Sequence, residues 1–599
     1  MKKILLFTIL LTGIYSLLIG QTTVVKHLPI ARESTIPANY DYVIYKSGTN
    51  TEAYKMSTQS IFSTSSSFKT VFDAVYADMS DSAKINIMSG IYTTSVPLNG
   101  TGKSFTLEGI GRVEIKTTVL GEDGFAFSFF GSELGTTYLS SDVTKGTNTI
   151  TVNDIFTARI GDLFVVYDDS IFDAQFDAAW KTGELHEVAE VTSTTLKIPD
   201  QFIHGYTLTN NAVVILVRPV SVNINNVTFT APSSTGMYQG ISLEYNKNSN
   251  ITNCQMNSFG IMGIGIYYSY TTKIDNCKIN DALVMGYGYG VSINNGAAYT
   301  TVQNSVFRNQ RHSIAQGGYS GDSQARDTKI VNNYFFNANG IGHAIDAHAI
   351  VENFSLINNK IYSLGTSSTP IAHVASGAVN VIIKGNEFIG GTGISTRDVA
   401  LSGISFYIDG NTFTNVQTGF YQEVSSDVLN NFVMKNNTFK EVCWGIAEIS
   451  NAVRFDISGN FFNVTETSVD NGRTSAILIS DSQDGLISNN TINNVLNNAI
   501  KLDSVSNTVI SGNNISNWDR HAYDVLYPGV VINNSTDNII ANNFLKRPVS
   551  AYMDSNGIVE TGTSDYNIIS TNNVRWVGTV QANRIITTGA NSQELNNLE

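Results

Sequence analysis

Side chains that can bind anions and transfer protons are concentrated between residues 280 and 375 of this 599-residue chain. Four of its eight histidines lie between His312 and His373, these two included. The candidates are Tyr287, Tyr289, Arg308, Arg311, His312, Tyr319, Arg326, His343, Asp346, His348 and His373. An arginine pairs with a carboxylate through two hydrogen bonds, a histidine accepts a proton near neutral pH, and a tyrosine donates one. The set predicts acid–base chemistry on a carboxylated ligand.

One reaction that needs these residue types is removal of the C5 proton from a sugar uronate. A cation must neutralise the adjacent carboxylate, since otherwise two negative charges develop side by side. Arg311 is the candidate for this cation. His312 or His348 would accept the proton, and Tyr289 would protonate the leaving glycosidic oxygen.

The remaining candidates have supporting roles in this hypothesis. Asp346 would orient a histidine or bind sugar hydroxyls, and His343 is a further catalytic candidate. Contacts with the bound sugar are assigned to Tyr287, Arg308, Tyr319, Arg326 and His373. In the alternative interpretation, Asp346 and His312 satisfy backbone groups of a turn, and the tyrosines only line a sugar-binding groove.

A six-residue phrase, apolar-x-Asn/Gly-Asn-x-apolar, recurs from residue 224 onward and must position these side chains. Its fourteen copies begin at Ile224, Ile251, Ile274, Val302, Ile330, Leu356, Ile383, Ile408, Met434, Ile457, Ile487, Ile510, Ile540 and Ile569. The 345 residues from first to last, divided by 13 intervals, give a period of about 26.5 residues, which is typical of a solenoid.

The fourth position of the phrase is asparagine in ten successive copies: Asn333, Asn359, Asn386, Asn411, Asn437, Asn460, Asn490, Asn513, Asn543 and Asn572. Coils of a parallel solenoid stack about 4.8 Å apart, so identical amides can hydrogen-bond along the stack. Asparagine also tolerates the left-handed backbone conformation of sharp turns. The column therefore predicts an asparagine ladder.

Cysteines occupy this column in two earlier coils, at Cys254 and Cys277, and Ser305 follows them. We expect two small buried thiols that cap the ladder. A disulfide between neighbouring coils is the alternative in an exported protein. With Cys443, the three cysteines match no zinc pattern.

The offset from the next repeat phrase predicts which way a side chain points. Val291 before Val302 and Ile345 before Leu356 have the same odd offset, so odd offsets face the core and even ones face solvent. By this offset Asp346, His348 and His373 face outward, the last in the column of Asp346 one coil later. Alignment of residues 311–314 with 290–293 and 342–345 places Arg311 outward as well. The same alternation predicts that His312 and His343 point inward, unless a bend at the start of the strand turns their side chains outward.

The repeat resembles right-handed parallel β-helices of the pectate-lyase-like superfamily over the whole span of the phrase. This resemblance implies an all-β solenoid and action on acidic polysaccharides by elimination, hydrolysis or epimerisation. Asp346-Ala347-His348 also partly resembles the Asp-Pro-His motif of mannuronan C5-epimerases, without the proline and the acidic residue that follows it. Residues 34–61 resemble the small N-terminal domains of phage tail spikes.

Hydrolysis requires two carboxylates that face each other across a glycosidic bond. No two carboxylates between residues 220 and 400 align in one outward column of adjacent coils. Loop residues Asp322 or Asp327 paired with Asp346 remain an option. Because carboxylates are sparse, we expect no cofactor and no tightly bound metal, calcium included.

Composition limits the partners. The net charge of -14 argues against nucleic-acid binding, which needs clustered basic residues. Residues 1–20 have basic and apolar segments typical of a cleaved secretory signal, with an anchored helix as the alternative. No other segment is long and apolar enough to span a membrane.

Six segments follow from these patterns: a signal peptide (1–20), an attachment segment (21–66), a cap with first coils (67–137), a β-rich insertion (138–219), the parallel β-helix (220–576) and a C-terminal tail (577–599). The sequence favours a secreted lyase that cleaves an acidic polysaccharide by β-elimination, as a monomer or homotrimer. A hydrolase and a non-catalytic glycan-binding or tail-spike-like protein are the alternatives, and a C5-epimerase is a further one.

Overall fold

The structure is a computed structural model. It describes residues 39–119, 124–173, 180–317, 323–337, 342–347, 351–363, 370–374, 379–396, 404–423, 428–442, 445–463, 475–518, 527–547, 556–576 and 585–598. The predicted signal peptide, His348, Tyr319 and Cys443 lie outside these ranges.

The chain winds into a parallel β-helix, as the repeat predicts. Among the described residues, one face is a sheet of 16 strands, here called sheet 1. Each coil contributes one strand to it, so the structure has two coils more than the sequence has repeat phrases. Its strands are Leu98–Thr101, Phe127–Phe130, Gln239–Glu244, Met262–Tyr267, Tyr289–Asn294, His312–Gly317, Ile345–Ala347, Pro370–Val374, Thr392–Thr396, Thr418–Gln422, Gly445–Ser450, Ile477–Ser480, Ile500–Asp503, Val530–Asn533, Ile558–Thr561 and Ile585–Ile586.

The rest of each coil belongs to a 34-stranded sheet, here called sheet 2, to which a typical coil contributes two short strands. Its strands are Tyr42–Ser47, Asn50–Lys55, Ser60–Ser65, Ala83–Thr94, Phe105–Thr117, Val222–Asn225, Thr228–Ser233, Asn250–Thr252, Gln255–Phe259, Lys273–Asp275, Lys278–Ala282, Thr301–Gln303, Val306–Gln310, Lys329–Val331, Tyr334–Asn337, Ser355–Ile357, Lys360–Ser363, Val381–Lys384, Glu387–Ile389, Ile404–Asp409, Thr412–Thr414, Leu429–Lys435, Thr438–Lys440, Val453–Ser458, Phe461–Asn463, Gln483–Ser488, Thr491–Asn493, Val509–Ser511, Asn514–Ser516, Ile539–Ala541, Phe544–Arg547, Ile568–Ser570, Asn573–Trp576 and Gln593–Leu595.

The first residue of the repeat phrase fills the core. Ile330 pairs in parallel register with Leu356, which pairs with Ile383, and all three are buried. Phenylalanines also stack from coil to coil: the rings of Phe388 and Phe413 are 4.9 Å apart. Because apolar side chains recur at the same position of each coil, each coil buries its apolar side chains against those of the coils above and below it.

The predicted asparagine ladder is confirmed. The Oδ1 atom of Asn359 accepts from the backbone amide and from Nδ2 of Asn333, at 2.8 and 3.1 Å, and Nδ2 of Asn333 also donates to the carbonyl of Val302. The pattern repeats along the stack and continues to Asn597 beyond the last phrase. The left-handed conformation lies one residue before the ladder, as at Asn332 with φ of 56°, which explains the Asn/Gly preference of the third position.

The two cysteines replace ladder asparagines as donors. The Sγ atom of Cys254 lies 3.6 Å from the carbonyl of Ile224, and that of Cys277 lies 3.4 Å from the carbonyl of Ile251. Both thiols are free and buried. The structure thus matches the capping interpretation rather than the disulfide.

A helix at Phe68–Asp78 covers the first coils. Its buried face consists of Phe68, Val71, Phe72 and Val75. Residues 42–65 form an antiparallel meander that pairs with Ala83–Thr94, so this part of the predicted attachment segment belongs to sheet 2. Among the described residues, no helix has the length and apolar character needed to cross a membrane.

The predicted insertion, residues 138–219, lies within a β unit that begins earlier, at Ser132 in the segment predicted as cap and first coils. It contains the strands Ser132–Tyr138, Thr149–Thr151, Leu163–Asp173, Trp180–Glu187, Glu190–Val191, Thr195–Lys197 and Val213–Arg218, with a short 3-10 helix at Leu208–Asn210. Leu163, Val165 and Leu185 pack on Tyr270 and Ala298 of the β-helix. At the other end, Gln593–Leu595 pairs with Ile568–Ser570, so the predicted tail forms a further coil.

Candidate functional site

The candidate site lies on the outer face of sheet 1, where a bend turns His312 outward. The amides of Ser313 and Ile314 both donate to the carbonyl of Ala344, at 2.9 and 3.1 Å, so two successive residues occupy one position of the ladder. The strand leaves this bend with Ile314 in the core. His312 consequently lies on the outer face, paired with Tyr289, although its alignment with Val291 predicted an inward side chain, and the bend that the sequence left open is present.

Four rings are stacked along this face, and they are here called the aromatic row: Tyr289, His312, His343 and His373. Their centroids are separated by 5.7 Å, 5.7 Å and 4.7 Å in succession, with interplanar angles of 16°, 22° and 19°. Parallel pairing brings Tyr289 beside His312, and Asp346 beside His373. Residues that are far apart in the sequence therefore form one continuous surface.

His312 is held by contacts to both ring nitrogens. Its Nδ1 atom lies 2.9 Å from the carbonyl oxygen of His343. A carbonyl only accepts, so Nδ1 carries the proton and Nε2 keeps its lone pair in the neutral ring. The Nε2 atom lies 3.2 Å from Oδ2 of Asp346, without the geometry of a hydrogen bond. Burial lowers the pKa of His312 to about 4, and the carboxylate of Asp346 opposes this shift.

The other end of the row carries a second carboxylate. The Nδ1 atom of His373 lies 2.8 Å from the hydroxyl of Ser395 and 3.4 Å from Oε1 of Glu423. Burial alone would raise the pKa of Glu423, but the hydrogen bond to His373 and the charge of that ring hold it below its usual value. The row therefore has two carboxylates along it, Asp346 beside His312 and Glu423 beside His373.

Arg311 lies next to the row at its exposed edge. Its Nη1 atom donates to the carbonyls of Gly286 and Tyr287, at 3.2 and 3.3 Å. Gly342, with φ of +94°, packs against both catalytic candidates: a Cβ there would lie 2.9 Å from Cγ of Arg311 and 3.0 Å from Cε1 of His312. Glycine at this turn allows the two side chains to lie side by side.

The structure places two predicted site residues elsewhere. Arg308 lies on the exposed side of Val306–Gln310, in sheet 2. Arg326 is 3% exposed and belongs to the interface with the insertion, where Nη2 donates to the carbonyl of Leu185 at 3.0 Å. Its guanidinium is therefore engaged at the interface with the insertion rather than at the aromatic row. Tyr319 and His348 lie outside the described residues, while Tyr287 is 37% exposed beside Arg311.

Ser395 and Glu423 were not predicted from the sequence. Ser395 directly follows His373 in the register of sheet 1, and Tyr421 follows Ser395, which places Glu423 two residues beyond that column. Glu423 lies among the regular coils beyond residue 400, outside the region in which the sequence concentrates candidate side chains. Extending the outward column of Asp346 and His373 by two more coils gives Ser395 and Tyr421, and Glu423 follows two residues after Tyr421.

Among residues that the structure describes, no group of three or more His, Cys, Asp and Glu side chains is arranged to hold an ion. A cavity of about 840 Å³ lies beside the helix Phe68–Asp78, lined by Lys69, Thr94 and Lys116 among others, and it contains none of the candidate residues.

The described groups are sufficient for proton transfer beside an anion. His312 offers a neutral nitrogen, and Asp346 lies where it would stabilise the imidazolium formed when that nitrogen takes a proton. Tyr289 stacks on the same ring, and Arg311 supplies a fixed positive charge next to it. His312, Asp346 and His373 are 1%, 4% and 7% exposed, so a ligand must displace covering side chains to reach them.

Comparison with known proteins supports the fold. The family model described as "Right handed beta helix region" matches residues 204–335, and the chain has a right-handed parallel β-helix fold. No curated protein is similar enough in sequence to be matched.

Solved structures with a similar fold include the tailspike protein of Pseudomonas phage LKA1, at 15% identity and a TM-score of 0.47, covering 85% of this chain and 74% of that one. The tailspike of Acinetobacter baumannii bacteriophage AP22, solved with a capsular saccharide, covers 88% and 74% at 14% identity and a TM-score of 0.40. The A-module of a mannuronan C-5 epimerase from Azotobacter vinelandii covers 89% and 94%, at 9% identity and a TM-score of 0.22. At these levels the likeness concerns the fold alone.

Proposed function

We propose that this protein is an exported enzyme that cleaves an acidic polysaccharide by β-elimination at the aromatic row. The observation that carries the proposal is the environment of His312: Nδ1 is fixed as a donor by the carbonyl of His343, and Nε2 faces the carboxylate of Asp346. A base of this kind needs a neutral nitrogen and a nearby anion that stabilises it once protonated. The buried imidazole and Asp346 supply both.

The reaction assigns a role to each neighbouring group. Arg311 binds the carboxylate of the uronate and so favours loss of the C5 proton. Nε2 of His312 accepts that proton, the electron pair forms the C4–C5 double bond, and the bond from C4 to the glycosidic oxygen breaks. Tyr289 protonates the leaving oxygen, and His373 with Glu423 binds the neighbouring sugar. The exposed Tyr287 supplies an apolar surface at the entrance.

A glycoside hydrolase is the second candidate, because the row has two carboxylates. Asp346 and Glu423 both reach it from outside the core. Hydrolysis would use one as acid and the other as base or nucleophile. Sheet 1 places Asp346 and the strand before Glu423 three coils apart, roughly 14 Å at about 4.8 Å per coil. Glu423 reaches back to His373, the register neighbour of Asp346, so this backbone spacing does not set the distance between the two carboxyl groups, and hydrolysis stays the alternative to elimination.

The test is incubation of the purified protein with alginate, pectate, glycosaminoglycan and ulvan, following the ultraviolet absorbance of unsaturated uronate and the release of reducing ends. Elimination predicts both signals on at least one substrate, and at least a 100-fold loss with His312→Gln. Lys501→Ala, in the outward column of Asp346 but several coils later, is the control and should retain full activity. New reducing ends without ultraviolet absorbance would establish the hydrolase instead. If neither ultraviolet absorbance nor reducing ends appear with any of the four polymers, cleavage of these substrates is contradicted.

A further inference from the structure

The outer face of sheet 1 is closed on the N-terminal side of the aromatic row. The outward column of Asp346 continues towards the N-terminal coils through five small residues, which are Ala315, Ser292, Gly265, Ser242 and Ser128. All five are buried although they lie on the outer face. Because small residues on an outer face are buried only when larger neighbours cover them, a sugar chain cannot lie along this part of the sheet.

Three large side chains meet over the middle of this column, and they are here called the end wall: Phe125, Met262 and Tyr267. A Cβ atom at Gly265 would lie 2.7 Å from Cε2 of Tyr267, 2.9 Å from Sδ of Met262 and 3.0 Å from Cζ of Phe125. The rings of Phe125 and Tyr267 pack edge to face at 6.0 Å, and the hydroxyl of Tyr267 donates to Sδ of Met262 at 3.7 Å. The three side chains therefore support one another directly on the sheet.

The end wall lies where the aromatic row ends. Met262 pairs with Tyr289 in the register of sheet 1, and Tyr289 pairs with His312. Met262 and His312 are thus two coils apart, about 10 Å at about 4.8 Å per coil. This length fits a mono- or disaccharide but not a longer segment of a polysaccharide.

The insertion closes the edge of sheet 1 at which these strands end. Tyr268 and Tyr299 lie beyond the ends of two of the strands and pack against the apolar cluster that contains Leu163 of the insertion. Further along this edge, Oε1 of Gln324 accepts from the amide of Gly183 in the insertion at 3.0 Å. A sugar chain that reaches the end wall therefore cannot turn aside over this edge.

The proposed reaction determines which end of the polymer meets the end wall. The sugar that loses its C5 proton is bound by Arg311 and keeps the new C4–C5 double bond. The sugar that leaves with the glycosidic oxygen is on its non-reducing side. Because Tyr289 protonates that oxygen, the leaving sugar lies between His312 and Met262. The rest of the polymer, on the reducing side, extends past His373.

We propose that Phe125, Met262 and Tyr267 restrict this protein to the non-reducing ends of its polysaccharide, so that each cleavage releases a mono- or disaccharide. The three residues set specificity and do not contact the reacting atoms. This inference rests on the function proposed above, because that function places the sugar chain along the aromatic row.

The first experiment follows the cleavage of oligosaccharides of alginate, pectate, glycosaminoglycan and ulvan that carry a fluorophore at the reducing end. With the wild type we expect labelled chains to shorten stepwise by a mono- or disaccharide. Met262→Ala combined with Tyr267→Ala should open the end wall, so that labelled products of many lengths appear together. Tyr407→Ala is the control, because Tyr407 is 40% exposed on sheet 2, and it should keep the stepwise pattern.

Two results of this experiment would overturn the proposal. One is the early appearance of labelled products of many lengths with the wild type, which would show cleavage within the chain. The other is a stepwise pattern in the double variant, provided that its circular dichroism spectrum matches that of the wild type. If the double variant does not fold, the pattern of the wild type still decides.

A binding measurement separates this inference from the proposed reaction. His312→Gln is titrated by calorimetry with unlabelled oligosaccharides of the same four polymers, in a series of lengths greater than the aromatic row. Each chain has one non-reducing end, so binding at that end predicts a Kd per mole of chain that does not change with length. Length-independent Kd without cleavage by the wild type would support the end wall and contradict the reaction. A Kd that falls in proportion to length would show binding within the chain and overturn the inference, as would absence of binding to all four polymers.

Discussion

His312 can act as a base through only one of its nitrogens. The carbonyl of His343 fixes the proton on Nδ1, and Asp346 faces Nε2. The ring must be neutral to accept a proton, and its lowered pKa keeps it neutral down to about pH 4. Replacing Asp346 removes the negative charge that opposes this lowering, so the pKa of His312 should fall further.

The pH profile of kcat/KM tests this assignment. In the wild type we expect activity to decline as the pH falls through about 4, because His312 becomes protonated. In Asp346→Asn the residual activity should decline only at a lower pH. Glu448→Gln, at the same face in a later coil, is the control and should leave the profile unchanged. An acidic limb that does not move in Asp346→Asn would exclude His312 as the titrating base.

Glu423 holds His373 from two coils away. The carboxylate lies 3.4 Å from Nδ1 of His373, and the neighbouring Ser395 hydroxyl lies 2.8 Å from the same atom. Glu423→Gln keeps the shape but removes the negative charge beside Nδ1 of His373. We expect kcat/KM to fall about 10-fold, a loss of about 1.4 kcal/mol of transition-state stabilisation, with the melting temperature within about 2 °C of wild type. Unchanged kinetics would remove Glu423 from the site.

The turn at Gly342 connects the geometry of two coils. In Gly342→Ala the new methyl group would press on Arg311 and His312, at 2.9 and 3.0 Å, and would separate them. Activity should fall by about 10- to 100-fold, because small displacements of catalytic groups cost this much. Gly410→Ala is a matched control, since Gly410 also has positive φ but open space around its Cβ position. Equal losses of activity in both variants would indicate backbone strain alone.

The asparagine ladder stabilises each turn through buried hydrogen bonds. Asn437 donates from Nδ2 to the carbonyl of Ile408 and to Asn460, and its Oδ1 accepts from Asn411. Asn437→Ala leaves these groups buried without partners, and we expect a loss of about 2 to 4 kcal/mol in the free energy of unfolding. Urea unfolding measures it, with the outward Thr438→Ala as the control. A loss below about 0.5 kcal/mol, which is less than one ordinary hydrogen bond contributes, would contradict a stabilising ladder.

The sequence predicts the coils well and the site only in part, for a physical reason. The apolar and asparagine positions recur with the period of the coil, so the stacking that they stabilise is visible as a pattern. The orientation of His312 depends on two amides sharing the carbonyl of Ala344, a contact between coils that leaves no periodic trace. The burial of Arg326 depends on where the insertion docks, which local sequence does not encode.

The insertion contacts the β-helix through a largely buried pair of ionisable side chains, and the protonation of this pair should affect how firmly the insertion is docked. His204 in the insertion lies 3.2 Å from Glu352 of the β-helix. Burial would lower the pKa of His204, but Glu352 and Glu184 raise it above the usual value despite the opposing charge of Lys145. Because the pKa of His204 is higher in the folded state, protonation of this ring stabilises the folded protein. The stabilisation is complete below the unfolded-state pKa of about 6.5, and it is lost as the pH rises through the folded-state pKa.

Hydrogen exchange of the insertion should therefore accelerate as the pH rises through this range, after correction for the intrinsic rate. His204→Gln should abolish that dependence, because the uncharged side chain cannot titrate. The coils around Asn437 serve as an internal reference, since amide hydrogen bonds, which do not titrate in this range, hold them together. Protection of the insertion that is independent of pH in the wild type would show that the pair does not contribute to docking.

The fold and the aromatic row together describe a solenoid whose candidate chemical face lies on sheet 1. The central claim is that the chemical face removes a C5 proton and breaks the neighbouring glycosidic bond. Nuclear magnetic resonance of a polysaccharide digest in D₂O tests it most directly. The account predicts an olefinic C4 proton in the products and its loss with His312→Gln. Saturated products without deuterium at C5 would mean hydrolysis, and intact chains with deuterium at C5 would mean epimerisation; either result would contradict the account.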